Sequence, residues 1–269
     1  MKKVISLVLA VLMLVSLLCA CAPADNGSKP TASTPAGNNG GNTGDNGNNG
    51  GNTGDNGNNG GNTGTNDGNV INVNDYTSDV SNWEFDDDYA LVQEDGKLIF
   101  NTVDGEFMAG MLKKPVLNGT YKFTLTINEL PEGVEELTPA DGAYWNTEFF
   151  IIARASKAAG TWSDGEQTGY CISSWGDMST FSIGRCGYDS VCGEYLEWNV
   201  NDGQPHEIEF TVKDNEDGTV NLILVVDGVV VADVIDEGAP RSDHPERPTK
   251  YPEAGNLVIR SKNMKITIG

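Results

Sequence analysis

Histidine is almost absent from this chain, and most chemistry that needs an imidazole goes with it. Only His206 and His244 occur in 269 residues. That leaves little material for a Ser-His-Asp relay or a His-ligated metal, and neither a G-x-S-x-G elbow nor a phosphate-cradling P-loop is present. Cationic side chains are scarce as well: 17 Lys and Arg stand against 39 Asp and Glu, a formal net charge of −22. A surface this acidic repels phosphate backbones and anionic headgroups, which excludes nucleic acid as a partner and argues against peripheral membrane binding through charge. Long apolar runs are missing except for Val4 to Leu18, which is short for crossing a bilayer. Cysteine is limited to five residues, two of them within the first 21 positions. Beyond the first twenty residues no stretch carries a helical period.

What is present begins with a targeting pattern. Lys2 and Lys3 precede the apolar run, the charge-then-apolar order of an export signal. The run ends in Leu18-Cys19-Ala20-Cys21, which resembles the lipobox of bacterial lipoproteins. The resemblance implies cleavage before Cys21, lipid attachment to Cys21, and an address at the cell membrane facing away from the cytoplasm. Cleavage there removes two of the 17 basic residues and none of the acidic ones, taking the charge to −24.

Residues 21–69 are almost free of apolar side chains and repeat GNTGDNGNNG at Gly41 to Gly50 and Gly51 to Gly60. Such composition cannot bury enough surface to offset the entropy of ordering. It reads as a tether that holds the remainder of the chain roughly 40 Å from the anchor. The division expected is therefore a signal over 1–20, a tether over 21–69 and one folded domain over 70–269.

The folded part is organised around Pro205 to Ile235. His206, Ile208, Phe210 and Val212 alternate with Glu207, Glu209, Thr211 and Lys213, the pattern of a half-buried strand. Val220 to Val226 and Val229 to Ile235 come next, joined by Asp227-Gly228, a dipeptide suited to a tight hairpin. Both are apolar on two faces, which predicts central strands covered on each side. Further strands are expected at Tyr89 to Val92, Lys97 to Asn101, Gly110 to Leu112, Gly119 to Leu130, Thr147 to Ala155, Gly169 to Ser174, Thr180 to Gly184, Asn256 to Arg260 and Met264 to Ile268. Many short strands separated by Gly/Asp turns predict an all-β fold of two antiparallel sheets.

The succession NTEFFIIARA, GYCISSWGDMSTFSIGR, PHEIEFTV, DGTVNLILVVDG and GNLVIRSKNMKITIG resembles a concanavalin A-like jelly roll of the laminin G or glucanase type. It is also similar to the domain of the 3-keto-disaccharide hydrolase type. The resemblance spans Trp83 to Gly269 and rests on strand and turn positions. It implies a polysaccharide or surface glycan as partner, with calcium as a secondary expectation for which the sequence singles out no ligands; no other cofactor is expected. Asp214 to Gly218 departs from EF-hand spacing and reads as a hairpin loop.

Catalytic carboxylates are harder to find. Family 16 glucanases carry Glu-x-Asp-x-Glu on one strand face, and retaining hydrolysis holds two carboxyl groups about 5 Å apart. The nearest string, Glu84 to Asp88, lacks the final Glu. Glu207 and Glu209 share a strand face and read as a solvent-facing pair, and Glu194 and Glu197 flank a turn with no better claim, so no catalytic residue is assigned. The expectation is a non-catalytic glycan-binding module on a lipoprotein, with a glycoside-cleaving enzyme and a protein-binding or structural surface domain as alternatives.

Aromatic rings stack on the apolar faces of sugars at low entropic cost. Tyr144, Trp145, Trp162 and Trp175 sit in or beside Gly/Asp-rich connections and are the candidate ligand-binding rings; lids over the core are the competing reading. Trp83 and Trp198 read as packing residues. Arg154 and Arg185 interrupt or end apolar strands, where each would either reach a glycan through its fork of donors or pair with a buried carboxylate. Arg260 invites the same two readings. Cys186 and Cys192 bracket a short loop and are placed to close a disulfide after export, leaving Cys171 buried, facing Ser182 across a Gly176-Asp177 turn.

Overall fold

The computed structural model describes residues 69–85, 92–103, 105, 107–158, 168–186, 189–191, 195–240 and 245–269. Cys21, the Gly/Asn-rich repeat, Asp86 to Asp88, Trp162, Cys192, Glu194 and His244 lie outside the described residues.

The strands, in chain order, are β1 (Asn69–Asn72), β2 (Trp83–Phe85), β3 (Val92–Glu94), β4 (Lys97–Asn101), β5 (Phe107–Val116), β6 (Gly119–Glu129), β7 (Glu148–Ala155) and β8 (Tyr170–Trp175). After them come β9 (Thr180–Arg185), β10 (Asp189–Ser190), β11 (Leu196–Glu197), β12 (His206–Asp214), β13 (Val220–Val226), β14 (Val229–Asp236), β15 (Gly255–Lys262) and β16 (Lys265–Ile268). Helical structure among the described residues is confined to short 3-10 turns, one of them Gly142–Asn146.

Two sheets result. The first runs β14-β13-β12-β6-β16-β4-β3, with β1 laid parallel against the start of β6. The second runs β10-β9-β8-β7-β15-β5-β2, with β11 against β9. Every pairing except that of β1 is antiparallel. The chain passes back and forth between sheets at β5 to β6 to β7 and again at β14 to β15 to β16. This is the wiring of a jelly-roll sandwich, the expected fold class.

The alternation of side chains places one row from each sheet between the layers. Phe100, Phe123, Leu125, Phe210 and Leu222 of the first sheet pack with Phe149, Ile151, Tyr170, Phe181 and Ile259 of the second. Trp83 and Trp198 belong to the same core, as the sequence suggested. A smaller apolar cluster lies on the opposite face of the second sheet and includes Met111, Tyr144, Phe150, Ile152, Cys171, Trp175, Cys186 and Val258.

The meander corrects one expectation. β12 and β13 bury alternate residues as half-buried strands do, but β14 is an edge strand. Its Val229, Val230 and Ile235 are 63%, 59% and 53% exposed. Apolar character on both faces therefore did not mean cover on both faces. A register shift opposite Leu224/Val225 marks a bulge in the hairpin, a device that blunts edge-to-edge pairing.

His206 starts β12 as a satisfied, buried histidine, in line with the alternation. Its Nδ1 lies 2.7 Å from Asp227 Oδ2 and its Nε2 2.9 Å from Asp202 Oδ1. Burial pulls the imidazole pKa down, but the bonds and charges of Asp227 and Asp202 more than reverse this and leave it above its ordinary value. A group whose pKa rises on folding stabilises the fold below its unfolded value and loses that contribution as pH rises through the folded value. The melting temperature of the protein is thus expected to carry a stabilising component that is full below the ordinary histidine pKa of about 6.5 and fades as pH rises above it. His206→Gln should lack that component; an identical pH profile for the variant would refute the assignment.

Candidate functional site

The outward face of the second sheet is built by residues in register. One row reads Trp175, Glu148, Lys262 and Phe107, from β8, β7, β15 and β5. The adjacent row reads Ser182, Ser173, Phe150, Arg260 and Ala109. Arg260 Nη2 donates to Glu148 Oε2 at 3.3 Å, and Lys262 Nζ lies 3.7 Å from Glu148 Oε1. The Arg260 guanidinium also sits over the rings of Phe107 and Phe150, at 4.7 and 5.5 Å from their centroids. Such stacking holds a planar cation on an apolar sheet face.

At one end of this face the aromatic band reaches solvent. Trp175 is 6% exposed and touches three rings edge-on: Phe150 at 5.4 Å, Trp145 at 5.5 Å and Tyr195 at 6.3 Å. Trp145 is 37% exposed and Tyr195 48%. The result is two accessible rings braced by one buried ring.

The segment carrying Trp145 is ordered by its own polar groups. Asp141 Oδ2 accepts from the N–H and hydroxyl of Thr138, Tyr144 N–H donates to Asp141 O, and Trp145 Nε1 donates to Pro139 O at 3.2 Å. The Thr138 bonds hold the Asp141 carboxyl below its ordinary pKa. Tyr144 turns inward, 7% exposed, and meets Trp145 edge-on at 5.0 Å. Burial pushes its phenol up, with Asp177 and Tyr195 adding to the shift against a hydrogen bond with Thr180.

The predicted site residues therefore separate. Tyr144, Trp145 and Trp175 come together in one cluster, in which Trp145 is the accessible ring and the other two are supports. Tyr195 joins them without having been singled out. The available signal was an aromatic residue shortly after Gly193, immediately before the short strand that pairs with Thr180 and Phe181. Glu148 and Lys262 were equally unmarked, and Arg260 was singled out without its partner, because cross-strand partners are invisible until register is known; its carboxylate-paired reading is the one that applies.

Arg154 and Arg185 belong elsewhere, and the carboxylate-paired reading applies to both. Arg154 sits at a bulge between β7 and β15 with φ +57, so its side chain turns into the end of the sandwich. There it donates to Leu117 O at 2.6 Å, Tyr251 O at 2.9 Å, Asp214 Oδ1 at 2.9 Å and Asn118 Oδ1 at 3.2 Å. Its guanidinium also faces the Tyr170 ring. It is a buried staple between the sheets. Arg185 donates to Thr249 O and Ala239 O and pairs with the buried carboxylate of Asp236 at 3.4 Å, pinning the stretch after β14. Beside it lies a depression of about 330 Å³ lined by Ser190, Val191, Ile235, Glu237 and Pro240.

Cysteine placement also differs from expectation. Gly176 to Ser179 forms a four-residue connection instead of a two-residue turn, which moves the register by two. Cys171 therefore opposes Gly184, and Ser173 opposes Ser182. Cys171 and Cys186 are both free and buried. Burial raises the Cys186 thiol pKa well above the ordinary value, and a hydrogen bond with Cys171 adds to the shift. The Cys186 to Cys192 bridge anticipated from the sequence involves Cys192, which lies outside the described residues. Among the described residues, no group of three or more His, Cys, Asp and Glu side chains is gathered as a metal ion requires. Asp214 to Gly218 is a hairpin loop closed by hydrogen bonds between Asn215 and Thr219.

No family model and no curated protein matches the sequence. Among solved structures the chain is similar to the Emp46p carbohydrate recognition domain in its potassium-bound form, with TM-score 0.46, 10% identity, and 76% of this chain and 92% of that chain covered. It is also similar to the Crh5 transglycosylase in complex with NAG, with TM-score 0.42, 14% identity and coverage of 71% and 66%. A third is a prokaryotic β-1,3-1,4-glucanase derived from a mouse hindgut metagenome, with TM-score 0.41, 11% identity and coverage of 69% and 88%. The likeness is one of strand framework, and no residue role is transferred from it.

Proposed function

We propose that the domain is a non-catalytic glycan-binding module, displayed outside the cytoplasm on a lipid-anchored tether, and that Trp145 and Tyr195 form its sugar platform. The observation that supports this is the pair of accessible rings held edge-on against the buried Trp175. Rings that are already ordered stack on a pyranose with little further loss of freedom, and their exposed surfaces have no competing partner from the core. A polysaccharide panel probed with the full chain tests the reading. At least one polymer should be retained; no retention across the panel would contradict it.

Cleavage is the second reading, and the sheet face weighs against it. Glu148 has two cations as its ion-pair partners. A retaining pair would need a second carboxyl group about 5 Å away, across the scissile bond. Purified protein is accordingly expected to bind without releasing soluble sugar, and measurable product would favour the enzyme instead.

The anchor rests on the sequence alone. Replacing Cys21 with Ala should leave the precursor unprocessed and shift the protein from the detergent-extracted membrane fraction to the soluble or uncleaved pool. Normal processing of the variant, with its lipid labelling unchanged, would refute lipidation at that residue.

A further inference from the structure

Three carboxylates lie on the segments that carry or support the platform. Asp141 leads into the turn that carries Trp145, where two Thr138 bonds fix its exposed carboxylate in place. Asp177 comes directly after Gly176, beneath Tyr144, and is oriented by Ser179, whose N–H and hydroxyl both donate to its Oδ1. It is close enough to Tyr144 to act on its phenol electrostatically, as is Tyr195. Glu197 is exposed, two residues beyond Tyr195, on the strand that pairs with Thr180. Two cations in register with the platform's supports, Arg260 and Lys262, are both drawn to Glu148, and Arg260 is also stacked on Phe107 and Phe150. Among the described residues, the charged groups on the segments that carry the platform, Asp141, Asp177 and Glu197, are thus of one sign, within a chain of net charge −22.

Taking the glycan-binding reading as given, we infer that the ligand class is an uncharged polysaccharide and that Asp141, Asp177 and Glu197 exclude uronic and sulfated glycans. Sugar hydroxyls donate hydrogen bonds to carboxylates, whereas a polymer carboxylate or sulfate meets repulsion at close range. Exclusion by charge predicts a dependence on salt, because screening shortens the reach of each carboxylate.

The test compares retention of the full chain by several neutral backbones (β-1,3-glucan, β-1,4-glucan, α-glucan and mannan) and by the C6-carboxylated derivative of each. The neutral form of the preferred backbone should bind about tenfold more tightly at roughly 0.02 M salt, and the gap should narrow towards about 0.5 M salt. In the double variant Asp141→Asn with Glu197→Gln, the ratio of carboxylated to neutral binding at low salt should rise severalfold towards one, whatever the change in absolute affinity. Equal or tighter binding of the carboxylated polymer by the wild-type chain, lost in Trp145→Ala, would overturn the exclusion and leave the platform standing. A preference for neutral polymer unchanged in the double variant would overturn the role of these carboxylates. If neither form of any backbone binds, the glycan-binding reading itself fails, and the inference with it.

Discussion

Replacing Arg154 with Met is expected to destabilise the sandwich by about 3–5 kcal/mol and to lower its melting temperature by roughly 10 °C or more. The effect comes from the groups the guanidinium holds. It supplies donors to the carbonyls of Leu117 and Tyr251, to Asn118 Oδ1 and to Asp214, all at the end of the sandwich. Asn118 Oδ1 also accepts from the Asp214 N–H at 2.7 Å, so the loss strands a connected group of polar atoms. A buried acceptor left without a donor costs about 1–3 kcal/mol. The Asp214 contact adds less than the geometry suggests, because that carboxylate is 35% exposed and screened by water. Lysine should not restore stability, since one ammonium cannot span acceptors set out for a planar fork. Urea unfolding of wild type, Arg154→Met and Arg154→Lys measures both statements. A loss below about 1 kcal/mol for the Met variant would mean that the ends of the sheets are held by packing alone.

The second large effect is expected at Gly176. A Cβ there would lie 2.2 Å from Tyr144 Cε2 and 2.5 Å from Cδ2, and the backbone has φ +66. Alanine would therefore combine left-handed strain with overpacking, a cost of about 2–4 kcal/mol. Because the blocked ring is Tyr144, the strain falls on the segment that presents Trp145, and glycan affinity should fall together with stability. Gly142→Ala is the matched control in the same segment. It has nothing within 4 Å of the added carbon, and its stability and binding should be those of wild type. Equal behaviour of the two variants would dissociate Tyr144 from the platform.

Strand positions were legible because burial imposes a period. β12 was marked by four residues in alternation, His206, Ile208, Phe210 and Val212, and the structure buries those four. The same logic misjudged β14. Sequence records whether a face is apolar but not whether anything lies against it, and Val229, Val230 and Ile235 carry their apolar surface at a sheet edge. Register was the harder quantity. The Gly176-Asp177 dipeptide looked like a whole turn, and reading it so displaced every β9 partner of β8 by two. The pairing of Glu148 with Arg260 and Lys262 was hidden because it too depends on register. Arg154 illustrates a third limit: a bulge gives it positive φ and changes the side on which it emerges, which no alternation rule anticipates. Loop aromatics were legible as a class, while their separation into the accessible Trp145 and the supporting Tyr144 and Trp175 depended on packing.

The most direct measurement of the central claim is a binding titration of the preferred neutral polysaccharide against wild type, Trp145→Ala, Tyr195→Ala and the control Val70→Thr, an exposed position on β1 of the other sheet. Each platform variant should lose about tenfold or more in affinity while keeping the wild-type melting temperature within a few degrees, and the control should bind normally. Undiminished affinity in both Trp145→Ala and Tyr195→Ala would contradict the account and place any sugar site elsewhere on the domain.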